Sequence, residues 1–239
     1  MVNLEHIRKN IILKNGIYYF DFTASGLAYK PIEDEIIKVL ETYANTHSIS
    51  SSNAFKTAEI YENSRRELKY FLDLDDSFYL FACGSGATSA IKKFQEILGI
   101  YAPPALKKRY KLKPDENSTL VVLGPYEHHS NEVSFRQALC EVERIRLDKN
   151  GGIDFNHLEQ ILKINVGREI IASFSVASNV TGILSDYRKI YTLVKSYGGI
   201  VAFDAASFSA YANIDCDYFD ALFLSPHKLL GGVGSCGLL

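Results

Sequence analysis

Tryptophan is absent from this 239-residue chain and methionine occurs once, but neither scarcity restricts fold or function. Cysteine says more. Its four copies, Cys83, Cys140, Cys216 and Cys236, are scattered without a Cys-x-x-Cys pair. That spacing argues against a metal site or a disulfide framework and fits a reducing, cytoplasmic setting. Each thiol reads more readily as a small buried apolar group than as a nucleophile. An excess of one charge is also missing, the formal net charge being -2 at pH 7. Nucleic acid and anionic membrane surfaces are therefore not indicated as partners. No apolar run approaches a membrane span, and Met1-Val2-Asn3-Leu4-Glu5-His6 lacks the basic-then-apolar pattern of a signal peptide. Repeats and low-complexity tracts are missing too. What is present is an ordinary globular composition, 47% hydrophobic and 23% charged, with length for one large domain or two modest ones.

Residues 17–22, Ile-Tyr-Tyr-Phe-Asp-Phe, read as a short strand. Pro31 opens a helix with Ile32, Ile36, Leu40 and Tyr43 on an i, i+4 row. A second helix over about 54–72 places Ile60, Leu68 and Phe71 inward. Beyond it, short apolar strands alternate with helical stretches. Strands are expected at 78–81, 119–123, 142–147, 169–174, 200–203 and 221–224, and helices at 87–98, 131–139, 154–163 and 186–197. Residues 101–117, with Pro103-Pro104 and Lys107, Lys108, Arg109, Lys111 and Lys113, read as an exposed insertion. This alternation predicts an α/β fold: three α/β/α layers around a mostly parallel central sheet. In such sheets ligands bind beyond the carboxyl ends of the strands.

The chemistry-bearing motifs fall at those ends. Cys83-Gly84-Ser85-Gly86-Ala87-Thr88-Ser89 leads from a strand into a helix, a turn whose N–H groups can cradle a phosphate. The Gly-Lys-Ser/Thr ending of a P-loop is missing, and plain chain reversal explains the turn equally well. Glu127-His128-His129-Ser130-Asn131 follows a Gly-Pro break. Adjacent histidines in a turn seldom converge on one metal ion, so no metal is expected; an imidazole lying on an aromatic ring, or two hydrogen-bonding loop histidines, are the readings left. Asn179, in Ser178-Asn179-Val180-Thr181-Gly182, can point an amide at a ligand or close an Asx turn. Lys228, in Ser225-Pro226-His227-Lys228, leaves an apolar run for a Gly-rich turn and alone would read as a solvated loop lysine. Asp204, ending the run at 200–203, changes that weighting. A lysine to hold an aldehyde and an acid to keep a ring nitrogen protonated are what pyridoxal 5'-phosphate requires.

Taken together, Gly86-Ala87-Thr88-Ser89-Ala90-Ile91, Glu127-His128-His129-Ser130-Asn131, Ser178-Asn179-Val180-Thr181-Gly182, Asp204-Ala205-Ala206 and Ser225-Pro226-His227-Lys228 resemble the fold-type I pyridoxal phosphate enzymes of the class V aminotransferase group. Within it the chain is most similar to cysteine desulfurases and selenocysteine lyases. The resemblance implies Lys228 as the Schiff-base lysine and proton-moving base, Asp204 at the ring nitrogen and His128 stacked on the ring. It implies phosphate contacts from Gly86, Ala87 and Thr88, helped by Ser225 and His227, and Asn179 facing the phenolate oxygen or the substrate. Ser207 stands where the group often has glutamine, Ala87-Thr88 replaces its double threonine, and Asn45-Thr46-His47-Ser48 lacks its basic residue. The implied function is a pyridoxal phosphate enzyme acting on a small amino acid, desulfurase-like, in a homodimer. Transamination by the same lysine and a non-catalytic remnant are the alternatives. Residues 1–50 are expected to lead into a cofactor-binding large domain at 51–239, with no C-terminal small domain. That domain carries the group's carboxylate-gripping arginine and sulfur-attacking cysteine, and none of the four thiols occupies the latter place.

Overall fold

A computed structural model describes residues 3–115 and 118–239. Met1 and Val2, and residues 116 and 117 of the expected insertion, lie outside that range. The chain forms two compact units, residues 1–80 with 227–235, and residues 81–226 with 236–239.

The first unit is helical. Helix α1 (Leu4–Asn10) starts on Asn3, whose side chain accepts from the His6 N–H, and α2 (Lys30–Glu41) has proline in its first turn. Helix α3 (Ser52–Phe71) is capped by Ser51, whose hydroxyl accepts from the Ala54 N–H. Two expectations fail here. Residues 17–22 form no strand, because they pair with no other strand among the described residues; Phe20 is 89% exposed. The apolar row of α2, and Ile60, Leu68 and Phe71 of α3, are also exposed; α3 buries only Ala54 and Thr57. Periodicity marks an apolar face but does not supply the surface that covers it. The returning segment is held by backbone bonds from Gly26 N–H to the His227 carbonyl and from Gly231 N–H to the Leu27 carbonyl.

The second unit is an α/β sandwich. Strands β2 (Leu120–Leu123), β3 (Glu141–Arg144), β4 (Ile170–Ser175), β5 (Ile200–Asp204) and β6 (Ala221–Phe223) form a parallel sheet in the order β3-β2-β4-β5-β6. β2 and β4 are buried along their whole length, as apolar runs without alternation demand. Val121, Leu123, Ile171, Ala202 and Phe223 pack with Ala90, Ile91 and Phe94 of α4 (Gly86–Ile97) and Phe135 of α6 (His129–Gln137). On the opposite face the Tyr187 ring of α8 (Tyr187–Lys195) meets Phe203 edge-on, and α8 packs beside α7 (Phe155–Ile164). These are the three expected layers.

A further pair lies outside the sequence reading. Strand β1 (Ala82–Cys83) runs antiparallel to β7 (Gly237–Leu238). β7 is in turn bridged antiparallel to β6's continuation at Leu224, through Leu224 N–H to the Leu238 carbonyl and back. Both β1 and β6 oppose β7, so β1 points the same way as the parallel sheet. Of the strand expected at 78–81 only the last residue pairs beside β7, Phe81 exchanging backbone bonds with Leu239, and β1 continues from there, while Tyr79 is 81% exposed. The expected insertion carries a short helix, α5 (Pro104–Tyr110), whose Lys107 ammonium donates to the last carbonyls of the α6 region, at Gln137 and Ala138.

Candidate functional site

The turn from β1 into α4 is built by close backbone approach. Gly86, the first residue of α4, has φ +61°, a conformation that L side chains rarely adopt. Gly237 of β7 lies so close that a Cβ there would sit 2.0 Å from the Gly86 carbonyl oxygen. The Ser89 hydroxyl, 2.9 Å from the Ser85 N–H it accepts from, closes the turn. Ala87 and Ser225, expected as separate phosphate contacts, are bonded to each other: the Ala87 N–H donates to the buried Ser225 hydroxyl at 2.8 Å. This bond pins the start of α4 to the end of β6. Thr88, in the first helical turn, is exposed.

His128 is exposed and caps α6. Its Nδ1 accepts from the Ser130 N–H at 3.2 Å and lies 2.7 Å from the Ser130 hydroxyl. Asn179 is exposed after β4, and the turn there is closed not by its side chain but by Ser178, whose hydroxyl accepts from the Val180 and Thr181 N–H groups. Asp204, ending β5, is 4% exposed, and its Oδ1 accepts from the Ala206 N–H at 3.0 Å. The Ser207 hydroxyl donates to the Ala177 carbonyl at 2.7 Å. Thus Gly86, Ala87, Thr88, His128, Asn179, Asp204, Ser207 and Ser225 all belong to the α/β unit and follow the carboxyl ends of its co-directional strands. His227 and Lys228 belong to the helical unit, on a short 3₁₀ helix, Pro226–Lys228, and both are half-buried. There the His227 carbonyl accepts from Gly26, while burial and the neighbouring Lys228 charge push the imidazole's pKa down.

Glu127 is the residue whose role the sequence did not disclose. The residue as a whole is half-buried, but its carboxyl end is enclosed. Oε1 accepts from the Ser175 N–H at 2.8 Å; Oε2 lies 2.7 Å from the Ser175 hydroxyl and accepts from Asn131 Nδ2 at 2.7 Å. Burial outweighs these donors, and with the nearby Asp204 charge it pushes the carboxyl's pKa up to about 7. The sequence signal was Gly124: a Cβ there would meet Glu127 Oε1 at 2.3 Å. Burial also raises the Cys83 thiol and carries Cys140 up to about 11, so neither is a ready thiolate near neutrality.

The donor set in the α/β unit fits a flat, phosphorylated aromatic ligand. The amino end of α4 suits an anion, an exposed imidazole suits a ring face, and a buried carboxylate suits a protonated ring nitrogen. Residues 18–238 match the family described as Aminotransferase class-V. A probable cysteine desulfurase of Pyrococcus abyssi is 29% identical, over 98% of this chain and 55% of its own length. The apo structure of a cysteine desulfurase from Thermococcus onnurineus superposes with a TM-score of 0.81 at 23% identity, over 100% of this chain and 56% of that one. A cysteine desulfurase from Escherichia coli gives 0.73 at 22%, over 100% and 57%. The chain thus spans little more than half the length of these relatives.

Proposed function

The chain belongs to the aminotransferase class-V family, and from that membership we propose that it serves a pyridoxal 5'-phosphate enzyme of the cysteine desulfurase type acting on a small amino acid. The observation that carries the proposal is Asp204: a carboxylate kept buried at the end of β5, on the strand-end side that also bears the start of α4 and His128. When bound, the cofactor supplies an electron sink for bond breaking at the substrate's α-carbon.

The chain's residues then divide the work. The first turn of α4, with Gly86 and Thr88, would receive the phosphate, Ala87 acting through the Ser225 hydroxyl to which its N–H is bonded, and His227 would be assigned to it by its motif match alone. His128 would cover the ring face, Asp204 would hold the proton on the ring nitrogen, and Asn179 and Ser207 would offer polar contacts to the cofactor or substrate. From its motif match alone, Lys228 would hold the aldehyde carbon through Nζ and would serve as the base for the α-proton. A homodimer completes the proposal on the family resemblance, and a cytoplasmic setting on the four free thiols. Among the described residues no helix is long and apolar enough to cross a membrane.

Adding pyridoxal 5'-phosphate to the purified protein tests this directly. A visible absorption band should develop, and borohydride should fix the cofactor on Lys228. Lys228→Ala should lose both signals; an unchanged band in that variant refutes the lysine's assignment. Sulfide release from cysteine should exceed keto-acid formation from other amino acids. The reverse order indicates transamination, and normal cofactor binding without turnover indicates a remnant.

A further inference from the structure

The turn that carries His128 is tied down on both sides of the exposed histidine pair. Before it, the Glu127 carboxyl holds the backbone and hydroxyl of Ser175 at the end of β4. After it, the fully buried Asn131 accepts from the Ser173 hydroxyl at 2.8 Å through Oδ1, and its amide donates to Glu127 at 2.7 Å. Tyr126 adds a third tie, its hydroxyl 2.9 Å from that of Ser185, which donates to the Ser175 carbonyl at 2.6 Å. The anchoring residue is also Asp204's neighbour: Ser175 and Asp204 are register partners across β4 and β5, and the Val176 N–H donates to the Asp204 carbonyl.

We propose that Glu127 is a positioning residue, whose carboxyl locks the His128 turn to the end of β4 so that the imidazole and the Asp204 carboxylate share one rigid frame around the cofactor ring. This rests on the pyridoxal phosphate reading of the site. Packing alone does not account for the residue. Enclosing a carboxyl beside another acid is unfavourable in itself. Its three polar contacts, and the glycine required at 124, give instead a fixed geometry between two strand ends. The hydrogen bonds of Glu127 go to Ser175 and Asn131, on either side of the His128 turn, so its proposed part is placement rather than the reaction.

A double-mutant cycle between Glu127→Ala and His128→Ala tests the inference, reading pyridoxal 5'-phosphate affinity of the apoprotein and visible circular dichroism per bound cofactor. Each single variant should weaken affinity about 10-fold and reduce the dichroism, while the double variant loses little more than either alone. Glu127→Gln, which keeps shape and most contacts, should recover most of the dichroic signal. Should Glu127→Ala fail to fold, Ser175→Ala, which removes one hydroxyl, takes its place in the cycle. Additive losses, or wild-type affinity and dichroism in the Glu127 variant, overturn the inference while leaving the cofactor assignment standing. A wild-type protein that develops no visible band overturns the cofactor assignment, and the inference with it.

Discussion

Glu127 sets a pH dependence of its own. Its carboxyl titrates at about 7 in the folded chain against 4.5 as the ordinary value, so between those limits the folded state holds a proton that the unfolded state has lost. The associated stability is fully present below the unfolded pKa and is lost as pH rises through 7. The groups facing it are Asp204 and Tyr126, of which Tyr126 is pushed further up by its own burial and stays neutral throughout. A Glu127→Gln variant, which cannot titrate, should therefore gain on wild type by about 2 kcal/mol between pH 5 and pH 8, read from urea midpoints. Parallel stability profiles would show that the carboxyl is ordinary. At this scale the sequence was legible where residue type alone carries meaning. Asp204, His128 and Lys228 stood out as acid, ring and amine at strand ends. Glu127 stands in the Glu-His-His-Ser-Asn run without disclosing its part, because its partner Ser175 is 48 residues away.

Helices were legible as elements because their signals are local. Asp154 and Asp186 each accept from the N–H three residues on, at 3.0 and 3.1 Å, and start α7 and α8 within a residue of where the sequence placed them. Asp186→Ala should cost about 1 kcal/mol of stability, measured by denaturant unfolding. Ser85 occupies the corresponding place before α4 without a side-chain cap bond, so Ser85→Ala should cost markedly less. Equal losses would mean that side-chain capping does not set these helix starts. Strands were less legible at the margins, since a strand exists only where another segment pairs with it. The run at 17–22 has strand composition and no partner strand among the described residues, whereas the short Gly237–Leu238 has a partner on either side.

Across the molecule, burial is unevenly distributed. α1 and α2 contain no buried residue, while every residue of β2 and β4 is buried. Hydrogen exchange should therefore be fastest in α1 and α2 and slowest in β2 and β4; α2 amides that outlast those of β4 would contradict this. The sequence by itself determined the alternation of strand and helix, the layered α/β class, and the chemical types at the strand ends, because periodicity and residue identity act over a few neighbours. Only the tertiary structure decided that β7 enters between β6 and β1, that Gly237 presses on Gly86, and that Ser225 fastens Ala87 across 138 residues. It also decided that the Glu127 carboxyl is enclosed. Pairing and enclosure depend on what distant segments bring alongside, and no local pattern contains that.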